Sequence, residues 1–239
     1  MEKQKKVEKE GKKYNFKGLK IFILIVLILL IIVLVYFFRN SIILSTLSGK
    51  NYKNSCLTNY TITEIKVNEG KDYCIIKSYN LDGKQLINIE YADENSSIKN
   101  MYVVKTVNGF VMFSEVNGKK VAKVLNQNQV SIEGVTNFLD VCTGKNGYNS
   151  MCSLIKKVKV DDVPCYEISG KNSNIIEKTP SENSKVYVEI ATGLVKKIVY
   201  NDENDKSKVY EIKYDYTFDD VNEDDLKGPD ISNYTVVKR

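Results

Sequence analysis

The densest run of carboxylates lies within "YTFDDVNEDDLKGPDISNY", Tyr216 to Tyr234. Asp219, Asp220, Glu223, Asp224, Asp225 and Asp230 would suit a divalent cation or a catalytic pair of carboxyls, and each chemistry makes a demand on spacing. A calcium loop of the helix–loop–helix kind needs oxygen ligands at positions 1, 3 and 5, Gly at 6 and Glu at 12. Counted from Asp220, Asn222 and Asp224 meet positions 3 and 5, but Asp225 and Ile231 stand at 6 and 12. A catalytic pair needs two carboxyls in opposed environments, which a solvated acidic run does not supply. What remains is a surface connection, with Asp224 and Asp225 favoured by the dipole of a short helix and Pro229 stopping its continuation. No metal is expected.

The cysteines are Cys56, Cys74, Cys142, Cys152 and Cys165, with no C-x-x-C spacing and no histidine anywhere in the chain. A tetrahedral zinc site would have to be gathered from distant thiolates alone. Cys142 and Cys152 flank the Gly- and Asn-rich "TGKNGYNSM" and are the first candidates for a disulfide in an exported chain, worth about 2–3 kcal/mol. Cys74 and Cys165 fall in strand-like stretches and read as small buried hydrophobes. An odd total leaves at least one thiol free or available to another molecule. Without histidine, Ser-His-Asp and Cys-His arrangements are excluded, and the usual acid/base of neutral pH is missing. Glycine-rich phosphate loops are absent as well. Neither an enzyme nor a cofactor is expected.

The charge is unevenly divided. Residues 1–20 carry eight Lys against three Glu, whereas residues 50–239 carry 26 Lys and Arg against 27 Asp and Glu. The positive net charge therefore belongs to the N-terminal tail. Arg39 and Arg239 are the only arginines. Phosphate backbones are bound by concentrated cationic surface, so a nucleic-acid partner is not expected.

Behind the basic tail comes "IFILIVLILLIIVLVYFF", Ile21 to Phe38, eighteen residues without a charge, Gly or Pro. As a helix it would span roughly 27 Å, enough to cross the hydrocarbon core. The preceding lysines place the N-terminus in the cytoplasm and the remainder outside, with Tyr36, Phe37 and Phe38 at the outer interface. The expected layout is a cytoplasmic tail at 1–20, a transmembrane helix at 21–38, a linker at 39–58 and an extracytoplasmic β domain at 59–239. Residues 41–49 would prolong the helix. A cleaved signal peptide is the alternative, with Thr46-Leu47-Ser48 imitating a cleavage site; lipidation at Cys56 is another, although "YKNS" is a poor lead-in.

From residue 59 onward the pattern alternates with period two and is punctuated by Asn68–Lys71, Asp82-Gly83, Asp93–Ser97, Asn108-Gly109 and Asn117-Gly118. Asp-Gly and Asn-Gly suit two-residue hairpins, whose central residues both need positive φ. Alternation fails over 131–153, where a helix near 134–142 is suggested. It resumes in "LIKKVKV", "VPCYEIS", "SKVYVEI", "GLVKKIVY" and "SKVYEIKYDYTF", giving ten or eleven strands in all. One antiparallel sheet of that size must curl or be covered. The expected fold class is mainly β (α+β): an N-terminal transmembrane helix, then a curved antiparallel half-barrel with a few covering helices. Tyr210, Ile212, Tyr214, Tyr216 and Phe218 share one strand face, and Ile87, Ile89 and Tyr91 share another. These residues either line a cavity for acyl chains, with phenol groups at a wet mouth, or form ordinary core.

"CYEIS" (165–169), "VYVEIATGLVKKIVY" (186–200) and "YEIKYDYTFDDVNEDDLKGPDISNY" (210–234) resemble the C-terminal half of the LolA-like proteins, the lipoprotein-carrier half-barrels, and their membrane-anchored relatives in Gram-positive bacteria. The shared pattern is a strand, a Thr-Gly-Leu turn, a second strand, an aromatic third strand, and an acidic segment running into Pro-Asp. The resemblance implies a protein that binds acyl chains or protein partners outside the membrane. It makes the acidic run a family mark. Unlike the carriers, this chain keeps an anchor in place of a cleaved signal. Two functions follow: a module binding a lipid or lipidated ligand, and a protein-interaction or regulatory module for a cell-envelope enzyme or signalling partner. Fold alone does not choose between them.

Overall fold

The computed structural model describes residues 16–92, 98–106, 109–125, 154–169, 185–202 and 205–237. The described chain divides after Arg39 into two units. In the first, the stretch Gly18–Tyr36 of helix α1 (Phe16–Ser55) is long and apolar enough to cross a membrane, and none of it is buried. Such a stretch serves equally as an anchor or a signal sequence.

Residues 40–55 of α1 belong to the second unit, Asn40–Arg239. The expected linker at 39–58 is thus largely helix. The reason is visible in the spacing of Ile43, Leu44, Leu47, Asn51 and Asn54, which recur every three or four residues and form one stripe. Leu47 is 1 % exposed, as deep in the core as Val186 on the sheet. The helix is part of the folded body because its apolar stripe has a sheet to cover.

That sheet has twelve described strands: β1 (Asn59–Asn68), β2 (Lys71–Leu81), β3 (Lys84–Tyr91), β4 (Ile98–Thr106), β5 (Gly109–Val116), β6 (Lys119–Leu125), β7 (Leu154–Val160), β8 (Val163–Ser169), β9 (Lys185–Glu189), β10 (Val195–Asn201), β11 (Val209–Phe218) and β12 (Thr235–Val237). Their order is β12-β6-β5-β4-β3-β2-β1-β11-β10-β9-β8-β7. Two meanders, β1–β6 and β7–β11, are joined where β11 pairs antiparallel with β1. The sheet is open and curved, as the alternation predicts. Only β12, parallel to β6, lies beyond the expected strands.

The hairpins follow their turn chemistry. Glu69-Gly70, Asp82-Gly83 and Asn117-Gly118 have positive φ at both positions, as two-residue primed turns require. Asp161-Asp162 does the same at φ 48° and 64° without glycine, which Asp tolerates better than most residues. The expected turn at 93–97, residue 108 of the Asn108-Gly109 turn and the helix near 134–142 lie outside the described residues.

Directly opposed residues in neighbouring strands share a face. One row on the helix-bearing face runs Tyr91, Cys74, Lys66, Ile212, Ile198, Val186, Ile168 and Ile155. A second runs Met112, Val103, Ile87, Ser78, Ile62 and Tyr216. Leu44 and Leu47 pack on β7–β11 within a cluster that includes Ile155, Ile168, Val186, Val188, Ile198 and Ile212. Ile87, Val103 and Phe110 form another cluster on β3–β5.

The acidic run crosses to the opposite face. Asn59 grips Val221 from both sides: its Nδ2 donates to the Val221 carbonyl at 3.0 Å, and the Val221 N–H donates to its Oδ1 at 2.9 Å. Asn222 Oδ1 accepts from the N–H groups of Asp224 and Asp225. Asp225 Oδ2 accepts in return from the Asn222 N–H. The result is a turn and not the short helix expected there. Gly228 then passes close to Val104 and Leu86, and Tyr234 meets Phe113 edge-on at 5.3 Å before β12 begins. Asp230 accepts from the Ser232 N–H and Oγ, which holds its carboxyl below the usual range. Among the described residues, no group of three or more potential ligands is placed to hold a metal ion.

Candidate functional site

All eight strand residues singled out from the sequence fall on one face of one sheet. Ile87, Ile89 and Tyr91 on β3 are separated from Tyr210, Ile212, Tyr214, Tyr216 and Phe218 on β11 only by β2 and β1, whose registers carry the face across. Ile87 and Ile212 are buried, each in a different cluster, while the other six are half-buried. Tyr214, Tyr216 and Phe218 form a ladder of nearly parallel rings, with centroids 6.3 and 6.5 Å apart. Ile62 and Leu194 are buried among these rings and Tyr60. Around Ile87, the half-buried Ile76, Ile89, Met101, Met112 and Leu125 extend an apolar floor towards β6. Long flexible Met side chains adapt to guests of varied shape.

This floor is interrupted by an ion pair on β1. Lys66 Nζ lies 3.3 Å from Glu64 Oε1; the Glu64 side chain is largely withdrawn from solvent and that of Lys66 is 32 % exposed. Burial pushes the Lys66 ammonium down, but the Glu64 charge and hydrogen bond outweigh it, so the group is held above the ordinary lysine range. Tyr73, Tyr91 and Tyr200 gather on the Lys66 side, where burial pushes each phenol up. The hydroxyls of Tyr73 and Tyr200 share a hydrogen bond, and Tyr200 stacks on Tyr210 at 5.5 Å. Cys74 is buried in the same neighbourhood, its thiol pushed up by desolvation, so it is a poor nucleophile. Other ion pairs among the described residues, such as Lys185–Glu167, Lys196–Asp215 and Lys197–Glu211, belong to the opposite face or the acidic strap. The Glu64–Lys66 pair went unremarked in the sequence reading. Its signal was present: two charges at i and i+2 point the same way in a strand whose neighbouring positions are apolar.

The Thr-Gly-Leu turn has a structural role. Gly193 takes φ +73°, and a Cβ there would lie 2.4 Å from the Leu47 carbonyl oxygen and 2.9 Å from the Asn51 nitrogen. Asn51 Nδ2 donates to the Gly193 carbonyl at 3.1 Å, Asn54 Nδ2 to the Thr192 carbonyl at 3.0 Å, and Lys50 Nζ to the Ile190 carbonyl. The turn clamps the helix over the β7–β11 half of the face. The Cys142–Cys152 pair lies outside the described residues; of the others, Cys56 is exposed, Cys74 and Cys165 are buried, and all three are free.

No protein-family profile matches the chain, nor does any curated protein sequence. Solved structures do resemble it. An uncharacterised conserved protein from Thermus thermophilus aligns at 11 % identity over 80 % of this chain and 97 % of its own, with a TM-score of 0.46. LprF from Mycobacterium bovis aligns at 12 % over 78 % and 96 %, with a TM-score of 0.45. A LolA superfamily protein from Nitrosomonas europaea aligns at 9 % over 79 % and 97 %, with a TM-score of 0.28.

Proposed function

We propose that the chain is a membrane-anchored, extracytoplasmic binding module that receives the acyl chains of a lipid or lipidated ligand on its aromatic and apolar sheet face, and that it is not an enzyme. The observation that carries this reading is the extent of that face. Apolar and aromatic side chains recur from β6 through β11 in register, broken on β1 by the Glu64–Lys66 pair, and many of them are only half-buried. A sheet face of adaptable Met and Ile beside a ring ladder gives acyl chains area without directional demands. The positive N-terminal tail and the apolar stretch behind it support retention at the membrane with the sheet outside. Carboxylates, thiols and phenols on the face are paired, buried or protonated, and none is arranged as an activated nucleophile.

Native mass spectrometry of residues 40–239, purified without detergent from a membrane-containing lysate, tests the proposal. The start at residue 40 matters, because Leu44 and Leu47 belong to the core. An added mass matching a lipid, lost on replacing Ile89 and Met101 with Asp, is the expected result. An apo mass with no uptake of offered acyl chains moves the assignment to the alternative, a cell-envelope protein partner. For that reading the exposed strand β12 offers a sheet edge for strand addition.

A further inference from the structure

The Glu64–Lys66 pair is out of keeping with the apolar face it stands on. Withdrawing a carboxylate from water, as at Glu64, is seldom fully repaid by its attraction to a partner, and hydrophobic residues in place of such a pair often serve stability as well or better. Several polar groups converge beside the pair. Lys66 presents N–H donors, Tyr73, Tyr91 and Tyr200 present phenols that stay protonated at neutral pH, and Glu64 presents a carboxylate. Two residues beyond Lys66 on the same face, the side-chain oxygen of Asn68 is buried without a hydrogen-bond partner. Buried polar atoms are ordinarily satisfied, so such an atom marks a place where a ligand group can bond.

On these grounds, and resting on the lipid-binding reading above, we infer that the cluster around Glu64 and Lys66 seats the head of the bound lipid, and that this head is uncharged and rich in hydroxyls, as a glycerol or sugar is. The charge balance decides the class. One ammonium and one carboxylate cancel, so a phosphate entering to meet Lys66 would also meet Glu64 and be repelled. A hydroxyl accepts from Lys66 or a phenol and donates to Glu64 or Asn68, using both kinds of group at once. The setting also fits geometrically. Glu64 stands between Ile76 and Tyr214 and Lys66 between Cys74 and Ile212, to one side of the row that joins Ile87 to Tyr216 through Ser78 and Ile62, so acyl chains lying on that row would leave a head on the Lys66 side.

The test uses the full chain in vesicles containing one of three lipids with identical photoactivatable acyl chains: diacylglycerol, glucosyl-diacylglycerol or phosphatidylglycerol. Cross-links are mapped to peptides by mass spectrometry. Those on the apolar stretch of residues 18–36 report lipid supply and normalise those on β1–β3 and β11. The expected result is normalised sheet cross-linking at least about tenfold higher for an uncharged lipid than for phosphatidylglycerol; the two uncharged lipids then tell sugar from glycerol. Glu64→Gln keeps the shape and removes the negative charge, and should raise phosphatidylglycerol cross-linking to parity or beyond. Tyr200→Phe should lower the uncharged lipid several-fold and leave phosphatidylglycerol unchanged. Equal cross-linking by all three lipids, or a preference for phosphatidylglycerol in the unmodified chain, overturns the head-group inference while leaving acyl binding in place. No sheet cross-links with any lipid overturns the lipid-binding reading itself.

Discussion

At Gly193 one hydrogen atom decides whether the helix can sit on the sheet. The residue needs a left-handed φ and meets two backbone atoms of α1 at contact distance, neither of which can swing aside like a side chain. Gly193→Ala is therefore expected to destabilise residues 40–239 by about 2–4 kcal/mol, from left-handed strain and the displaced helix together. Asn51→Ala, which leaves the Gly193 carbonyl buried without its donor, should cost about 1–3 kcal/mol. Urea denaturation measures both, and a loss near zero for Gly193→Ala would mean that the turn does not carry the helix. On the opposite face, Tyr187 offers a test by pH. Desolvation first, then the charges of Glu167 and Glu211 and a hydrogen bond with Glu167, push its phenol up to about 12. In the unfolded chain it ionises near its ordinary value of 10.0. The folded state thus holds the proton longer, so stability is intact below that value and falls as pH rises towards 12. Tyr187→Phe should flatten the decline, which denaturation at a series of alkaline pH values would register.

Among the elements, residues 40–55 separate what spacing reveals from what it conceals. A long apolar run hides where an exposed apolar helix ends and a core helix begins. Ile42, Ile43, Leu44 and Leu47 simply prolong the apolar character of the preceding residues, and only the sheet beneath them gives Leu44 and Leu47 a partner. The expected prolongation over 41–49 runs on to Ser55, and its packing on the sheet was concealed for that reason. The strands were legible because alternation and Asp-Gly or Asn-Gly turns act locally; the bounds of "LIKKVKV" and "VPCYEIS" leave Asp161-Asp162 as their connection although no glycine marks it as a turn. The shared face of Ile87 and Tyr216 was legible within each strand, but the register that brings them together depends on β1 pairing with β11, a contact between residues far apart in sequence. Leu47→Ala should cost about 2–5 kcal/mol as a buried large-to-small change. A chain beginning at residue 56 should fail to give the cooperative unfolding transition of a chain beginning at 40. Equal circular dichroism spectra and urea midpoints for the two would show the helix to be dispensable. The acidic strap, spent on turns and on gripping Asn59, should leave the melting temperature unchanged when calcium is added.

For the whole molecule, the proposed function predicts that the sheet face lies outside the cytoplasm. The lysines ahead of the apolar stretch argue for an external domain, since cationic flanks are retained in the cytoplasm. Cys56 can report the answer, being free and exposed at the end of α1, whereas Cys74 and Cys165 are buried. In a chain carrying Cys142→Ser and Cys152→Ser, a small membrane-impermeant maleimide added to intact cells should label the protein as fully as it does after lysis. Labelling should vanish with Cys56→Ser. Labelling only after lysis would put the sheet in the cytoplasm, where an acyl ligand from the outer leaflet could not reach it. The same cells distinguish anchor from signal sequence. An N-terminal tag that stays with the labelled chain in alkali-washed membranes means that the apolar stretch is retained; a labelled chain that has lost the tag means that it was removed. Retention bears on the proposed function, because an anchored lipid-binding module would receive or present a lipid at one membrane and could not carry it to another. Loss of the tag would instead make the proposed module a diffusing one, with the chemistry of the face untouched.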